Sequence, residues 1–118
     1  MIRIKRLGKS FMYAIKGLIK TFKEEQNLRI QTTAGIMVVF LGFYFRVSEF
    51  EWIILILIIG LVLLMELANS AVERVTDVLK PRINDYVKEI KDIMAGAVML
   101  ASIVAVIIGL IIFIPHIF

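Results

Sequence analysis

The chain has 118 residues, of which 60% are hydrophobic, and it carries a formal net charge of +4. Soluble domains are about 45–50% apolar, so this excess indicates one small membrane domain over residues 1–118. The absence of cysteine excludes disulfides, a thiolate nucleophile and a cysteine-ligated metal, and the one histidine, His116, does not favour histidine chemistry.

Residues 6–23 have the periodicity of an amphipathic helix. At about 100° per residue, one side collects apolar residues (Leu7, Phe11, Ala14, Ile15, Leu18 and Phe22) and the other side collects basic ones (Lys9, Lys16, Lys20 and Lys23). A basic amphipathic helix before a membrane span indicates a surface helix that lies in the anionic cytoplasmic interface. The alternative is a charged anchor that only fixes the topology.

Three apolar runs follow, and they predict transmembrane helices at about 30–46, 52–79 and 92–114. Pro81 should end the second helix, and Pro115 lies just beyond the third. Small residues recur at every fourth position of the third run and form a ridge for close helix packing: Ala97, Ala101, Ala105 and Gly109. The expected fold is an all-α membrane protein with three transmembrane helices.

The distribution of basic residues predicts the orientation of these helices. Basic residues are concentrated before the first run and between the second and third runs, whereas the first connection holds only Arg46. By the positive-inside rule, the N-terminus and the second connection lie in the cytoplasm. No cleavable signal peptide is expected, because the first apolar run starts late and ends in bulky aromatic residues.

A stripe of polar residues follows the second apolar run. Its members fall within an arc of about 100° on a helix: Glu66, Asn69, Ser70, Glu73 and Asp77. A carboxylate placed deep in a membrane costs roughly 2.5–3.5 kcal/mol, so Glu66, at the end of the apolar run, indicates a function. The alternative, a helix end that merely emerges into water, suits Asp77 better than Glu66.

Two further carboxylates, Glu24 and Glu25, precede the first span. They could simply favour the dipole of the following helix. They could also meet the stripe at the cytoplasmic boundary, where oxygen ligands would suit Mg²⁺ held by one or two carboxylates and substrate phosphates. The sequence contains no Walker A loop, kinase glycine loop, GxSxG elbow or HExxH motif.

Four segments of the sequence resemble the small bacterial membrane kinases of diacylglycerol and undecaprenol. Residues 66–77 (ELANSAVERVTD) resemble the family signature Glu-x-x-Asn-Thr-Ala-Ile-Glu-x-x-x-Asp, with serine and valine in place of threonine and isoleucine. Residues 91–98 (KDIMAGAV) resemble the opening of the family's third helix, and residues 16–18 and 25–29 resemble its N-terminal blocks. The resemblance covers nearly the whole chain.

The resemblance implies a homotrimer of three-span subunits in the bacterial plasma membrane that transfers the γ-phosphoryl group of ATP to a lipid hydroxyl. It implies Glu66 as the catalytic base, with Asn69 and Asp92 completing the catalytic set and Asp92 as the alternative base. It implies Glu25 and Glu73 as ligands of Mg²⁺. The residues it implies for nucleotide binding are Arg6, Tyr13, Lys16, Gly17, Glu73, Asp77 and Lys91.

The sequence leaves two candidates for the lipid alcohol. Residues 21–30 and 107–113 resemble the Gram-positive branch of the family, which favours undecaprenol, and diacylglycerol is the alternative. Outside this family, a proton-coupled transporter or channel subunit would use Glu66 as its membrane carboxylate, and an assembly protein would need only the small-residue ridge. No nucleic-acid partner is expected.

Overall fold

The computed structural model describes residues 3–79 and 84–118. This part of the chain folds into α1 (Ile4–Glu24), α2 (Gln26–Phe45), α3 (Glu49–Leu79) and α4 (Asn84–Ile117). Among the described residues, α2, α3 and α4 are long and apolar enough to cross a membrane. The prediction of an all-α protein with three spans is therefore confirmed.

Helix α3 lies at the centre of the subunit. Both α4 and α2 pack along it, whereas α2 and α4 make little contact with each other. The small-residue ridge of α4 takes part in this packing, because Ala101 is buried and both Ala105 and Gly109 face the space between α2 and α4. Ala101 thus packs within the subunit, whereas a Cβ atom at Gly109 would meet no atom within 4 Å, so that part of the ridge is open.

Helix α4 extends beyond the predicted third span at both ends. Helix α4 begins at Asn84, well before the predicted start at residue 92, because its first turns are polar and only the later part is apolar. Its end also extends past Pro115, which lies inside the last turn. The turn is kept because the backbone N–H of Phe118 donates to the carbonyl of Ile114 at 3.0 Å. Helix α3 is described as far as Leu79, and Pro81 lies outside the described residues.

A single residue separates α1 from α2. Glu25 has extended backbone angles, φ −105° and ψ 112°. The guanidinium of Arg29 donates to the carbonyls of Phe22 at 3.0 Å and Lys23 at 2.7 Å, which have no partners within α1 because they lie in its last turn. Helix α1 is thus tied to the first turn of α2. Within α1, which is described throughout, no residue is buried; its position on a membrane surface stays a prediction.

The turn between α2 and α3 is closed by local hydrogen bonds. Arg46 ends α2 in the left-handed conformation (φ 53°), and the N–H of Val47 donates to the carbonyl of Gly42 at 3.2 Å. Ser48 and Glu51 form a capping box, in which the Ser48 N–H donates to Glu51 Oε1 at 2.9 Å and the Glu51 N–H donates to Ser48 Oγ at 3.1 Å. This box defines the start of α3.

The hydrophobic core lies at the same end of the subunit. It is a cluster of buried residues from the turn, α3 and α4: Val47, Leu55, Ile112 and Phe113. Next to it, the ring of Trp52 packs on Gly42 so closely that a Cβ atom at Gly42 would lie 2.6 Å from ring carbon Cη2. The Glu51 carboxylate also lies 3.2 Å from Nε2 of His116. This contact joins the start of α3 to the end of α4.

Candidate active site

The polar stripe of α3 is graded in burial along the helix. Glu66 is only 3% exposed and Ser70 is also buried, Asn69 and Glu73 are half-buried, and Asp77 is exposed. Glu66 therefore faces the packed helices rather than open lipid. A buried carboxyl group is costly unless it is hydrogen-bonded, so its neighbours define the site.

Those neighbours come from the two other spans. Nε2 of Gln31, on α2, donates to Oγ of Ser102, on α4, at 3.1 Å. The Gln31 side chain also lies close enough to the Glu66 carboxyl group to act on it electrostatically. Ser102, Gln31 and Glu66 thus form a polar chain across α4, α2 and α3, which we call the polar bridge.

Gln31 is not among the residues that the sequence predicts for the site. Ser102 is also absent from the predicted site, and it accepts a hydrogen bond from another helix. The available signal was that both residues are polar and lie within predicted spans, since polar residues in membrane helices usually face the bundle interior and pair there.

A second cluster lies where the α1–α2 junction meets α3. Nη2 of Arg74 lies 2.7 Å from Oε2 of Glu24, and Nη1 lies 3.6 Å from Oε1 of Glu25. The same guanidinium donates to the carbonyl of Ser70 at 3.1 Å. Arg74 therefore holds the paired carboxylates of the junction against α3, a role that the sequence does not predict for it.

The predicted metal ligands lie close to the predicted base. The charges of Glu25 and Glu73 both act on the Glu66 carboxyl group, and Nδ2 of Asn69 donates to Oε1 of Glu73 at 3.4 Å. The structure therefore brings Glu25, which is distant in the sequence, near the stripe of α3 that holds Glu66, Asn69 and Glu73. It places carboxylates from the α1–α2 junction and from α3 at one end of the bundle.

The carboxylates of this cluster offer oxygen donors to a metal ion. Within residues 3–79 and 84–118, no group of three or more histidine, aspartate or glutamate residues is arranged to hold a metal ion. Glu25 and Glu73 nevertheless supply two oxygen-donor groups, which is the number that Mg²⁺ commonly takes from a protein when phosphates complete its shell. Their chemistry thus fits a metal that arrives with a nucleotide.

The remaining predicted residues are more exposed than Glu66. Nζ of Lys91 lies 2.7 Å from Oδ1 of Asp77, which joins α4 to the exposed end of the stripe. Asp92 is exposed, and the described lining of its pocket of about 410 Å³ comes from α4. The candidates on α1 are all exposed: Arg6, Tyr13, Lys16 and Gly17. Their roles, and that of Asp92 as an alternative base, stay predictions.

A cleft of about 530 Å³ lies between α2, α3 and α4. We call it the apolar cleft, because Gln31 and Ser102 are the polar members of a lining that is otherwise apolar: Ala34, Gly35, Val38, Leu41, Ile59, Val62, Ala105, Val106, Gly109, Leu110 and Phe113. It runs from the polar bridge to the hydrophobic core at the other end. The arrangement offers an apolar chain a path that ends beside a carboxyl group.

Comparison with known proteins agrees with the motifs. The chain matches the family described as prokaryotic diacylglycerol kinase over residues 12–113. It is 36% identical over 112 residues to the undecaprenol kinase of Bacillus subtilis (strain 168), a match that covers 95% of this chain and 91% of that protein. It is 31% identical over 102 residues to the diacylglycerol kinase of Escherichia coli (strain K12), covering 86% and 84%. It is 37% identical over 101 residues to the diacylglycerol kinase of Synechocystis sp., covering 85% and 58%. The resemblance in the sequence is therefore confirmed, and the chain belongs to the prokaryotic diacylglycerol kinase family.

Proposed function

We propose that this chain is a membrane lipid kinase that transfers the γ-phosphoryl group of ATP to the hydroxyl group of undecaprenol. The observation that carries the proposal is the buried Glu66 carboxyl group next to Gln31, which lines the polar end of the apolar cleft. The similarity to an undecaprenol kinase over 95% of this chain favours that alcohol. Diacylglycerol is the second candidate, since other relatives are diacylglycerol kinases.

The lipid side of the reaction follows from the position of Glu66. The tail of a lipid alcohol stays among apolar side chains, so its hydroxyl group reaches the level where the cleft becomes polar. There the Glu66 carboxylate accepts the hydroxyl proton as the oxygen attacks the γ-phosphorus. The bond from the γ-phosphorus to the bridging oxygen breaks, and ADP leaves. Phosphoryl transfer needs positioning and charge stabilisation more than covalent catalysis, which fits a site built from carboxylates and amides.

We assign ATP and Mg²⁺ binding to the cluster at the α1–α2 junction. Glu25 and Glu73 would hold Mg²⁺, and when bound this ion would neutralise charge on the phosphates of ATP. Asn69 is held by Glu73, so its amide has a fixed orientation toward the reacting groups. Lys91, paired with Asp77, provides a cation at the exposed end of the stripe.

The proposal also covers the position and orientation of the subunit in the membrane. Helix α1 would lie on the cytoplasmic surface of a bacterial plasma membrane, with the N-terminus in the cytoplasm. Exposed apolar side chains on α1 support this position, including Leu7, Phe11 and Leu18. Their burial in a lipid interface would offset the cost of leaving them in water.

A homotrimer is also proposed. Glu73 is only half-buried in one subunit and Asp92 is exposed, so one copy does not enclose a nucleotide, and neighbouring copies would close the site. Crosslinking and native mass measurement in detergent should find three copies in the active fraction. A fully active monomer would contradict this part of the proposal.

The central test is lipid phosphorylation by the purified protein with labelled ATP, Mg²⁺ and each lipid alcohol in turn. Glu66→Gln should lower turnover by about 10²-fold or more with little change in ATP binding, because the amide keeps the shape of the side chain and loses proton acceptance. The matched control is Glu49→Gln, the same chemical change at the other end of α3, which should leave turnover unchanged.

Two outcomes would count against the proposal. Near-normal turnover of Glu66→Gln would remove this residue from the mechanism and make Asp92 the next candidate. A wild type that forms no phosphorylated lipid with either alcohol would remove the activity itself. In that case proton flux into vesicles, lost in Glu66→Gln, would identify the transporter alternative.

A further inference from the structure

The polar bridge uses the hydrogen-bonding capacity of one amide group. A glutamine side chain has two N–H donors and one carbonyl acceptor. One N–H of Gln31 is directed at Oγ of Ser102, 3.1 Å from the nitrogen, which leaves the second N–H for the Glu66 carboxylate. The serine hydroxyl could pair with either end of the amide, whereas an ionised carboxylate only accepts. Glu66 therefore selects the orientation in which the amide nitrogen faces the bundle, and Ser102 holds the amide in place.

The backbone brings Gln31 within reach of both partners. One turn further along α2, Gly35 is buried, and a Cβ atom there would lie 3.0 Å from Cγ2 of Ile59 on α3. This close approach presses the same side of α2 against α3. The Gln31 side chain can therefore reach Glu66 on α3 and Ser102 on α4 at the same time.

We infer that Gln31 is a positioning residue for Glu66, and that Ser102 fixes Gln31 in its productive orientation. This inference rests on the proposed function. A carboxylate held by one N–H donor keeps one oxygen occupied and presents the other to the cleft, where the lipid hydroxyl arrives. Reaction rates depend steeply on such placement, since an error of about 1 Å can cost about 10²-fold.

The test measures kcat and the two KM values, for ATP and for the lipid. Gln31→Leu keeps the bulk of the side chain but removes both donors, and it should lower kcat by roughly ten- to a hundredfold, the effect of a lost hydrogen bond to a charged group. Both KM values should stay within about twofold, because neither substrate is bound by Gln31.

Ser102 provides a pair of variants that differ in one hydroxyl group. Ser102→Ala should lower kcat by about fivefold, the effect of one neutral hydrogen bond, and Ser102→Thr, which keeps the oxygen, should restore it. The matched control is Thr32→Val, since the Thr32 hydroxyl donates only within α2, to the carbonyl of Leu28 at 2.7 Å. This control should retain wild-type kcat.

The contributions should not be additive if the three residues act as a unit. Ser102→Ala should have little further effect on kcat in a Gln31→Leu protein, and Gln31→Leu should have little further effect in a Glu66→Gln protein. A purely structural role for Gln31 would instead change unfolding temperature in every background and leave kcat of the folded fraction intact.

The outcomes separate this inference from the proposed function. An active wild type in which Gln31→Leu keeps its kcat would overturn the inference alone. If Gln31→Leu does not fold, the Ser102 pair decides: equal kcat for Ser102→Ala and Ser102→Thr would overturn it. A wild type without ATP-dependent lipid phosphorylation would overturn the proposed function, and the inference with it.

Discussion

An alanine at Gly42 would test most sharply how tightly α2 and α3 pack beside their connecting turn. The new Cβ would lie 2.6, 2.9 and 3.1 Å from three ring carbons of Trp52, and a fused ring cannot bend away as a flexible side chain can. Overpacking of this kind costs about 1–3 kcal/mol, and replacing a helical glycine returns about 0.5–1 kcal/mol. Gly42→Ala should therefore lower the free energy of unfolding by about 1–2 kcal/mol.

Two other glycines serve as internal controls, because the surroundings of their Cβ positions differ. At Gly60 no atom lies within 4 Å, so Gly60→Ala should be neutral or stabilise the subunit by up to about 1 kcal/mol. At Gly35 the nearest atom is the end of the Ile59 side chain at 3.0 Å, which can move slightly. Gly35→Ala should fall between the other two.

The measurement is reversible unfolding in mixed micelles, followed by helical circular dichroism. A smaller side chain at position 52 should relieve the clash, so Gly42→Ala combined with Trp52→Leu should show favourable coupling of about 1 kcal/mol or more relative to the single variants. If Gly42→Ala unfolds at the same point as Gly60→Ala, the reasoning from the ring contact is wrong.

The other predictions concern the charged cluster. Glu25→Gln and Glu73→Gln should each raise the Mg²⁺ concentration for half-maximal turnover by roughly tenfold or more. Neither change should unfold the protein. Normal activity of either variant at limiting Mg²⁺ would exclude a shared metal site. Arg74→Gln should cost at most about 1 kcal/mol of stability, since its ion pairs are half-exposed and screened by water. It should nevertheless lower turnover, because Glu24 and Glu25 lose their tie to α3, and thermal unfolding measured beside the kinase assay would separate the two effects.

The spans could be predicted from sequence because each apolar run is long and nearly uninterrupted. The helix ends could not be predicted equally well. Helix α4 starts well before its apolar part, and the local bonding of Phe118 carries the helix past Pro115. Hydropathy reports the part of a helix that meets hydrocarbon, and it gives no signal for a polar extension in water or at the interface.

The candidate site could be predicted where one helix determines it. Glu66 borders continuous hydrocarbon in the sequence, and its burial follows from that position. The contact between Gln31 and Ser102 joins residues 71 positions apart, and it depends on how α2 and α4 are rotated about their axes. No periodicity within either helix specifies that rotation. The link from Arg74 to the α1–α2 junction has the same cause.

The tie from Arg29 to the last turn of α1 has a consequence for biosynthesis. A ribosome makes α1 completely before it adds the arginine that satisfies the carbonyls of Phe22 and Lys23. The nascent helix therefore has an unfinished end until the first turn of α2 has been synthesised. The direction in which α1 leaves the bundle would be set during translation, at the moment when the first span begins to enter the membrane.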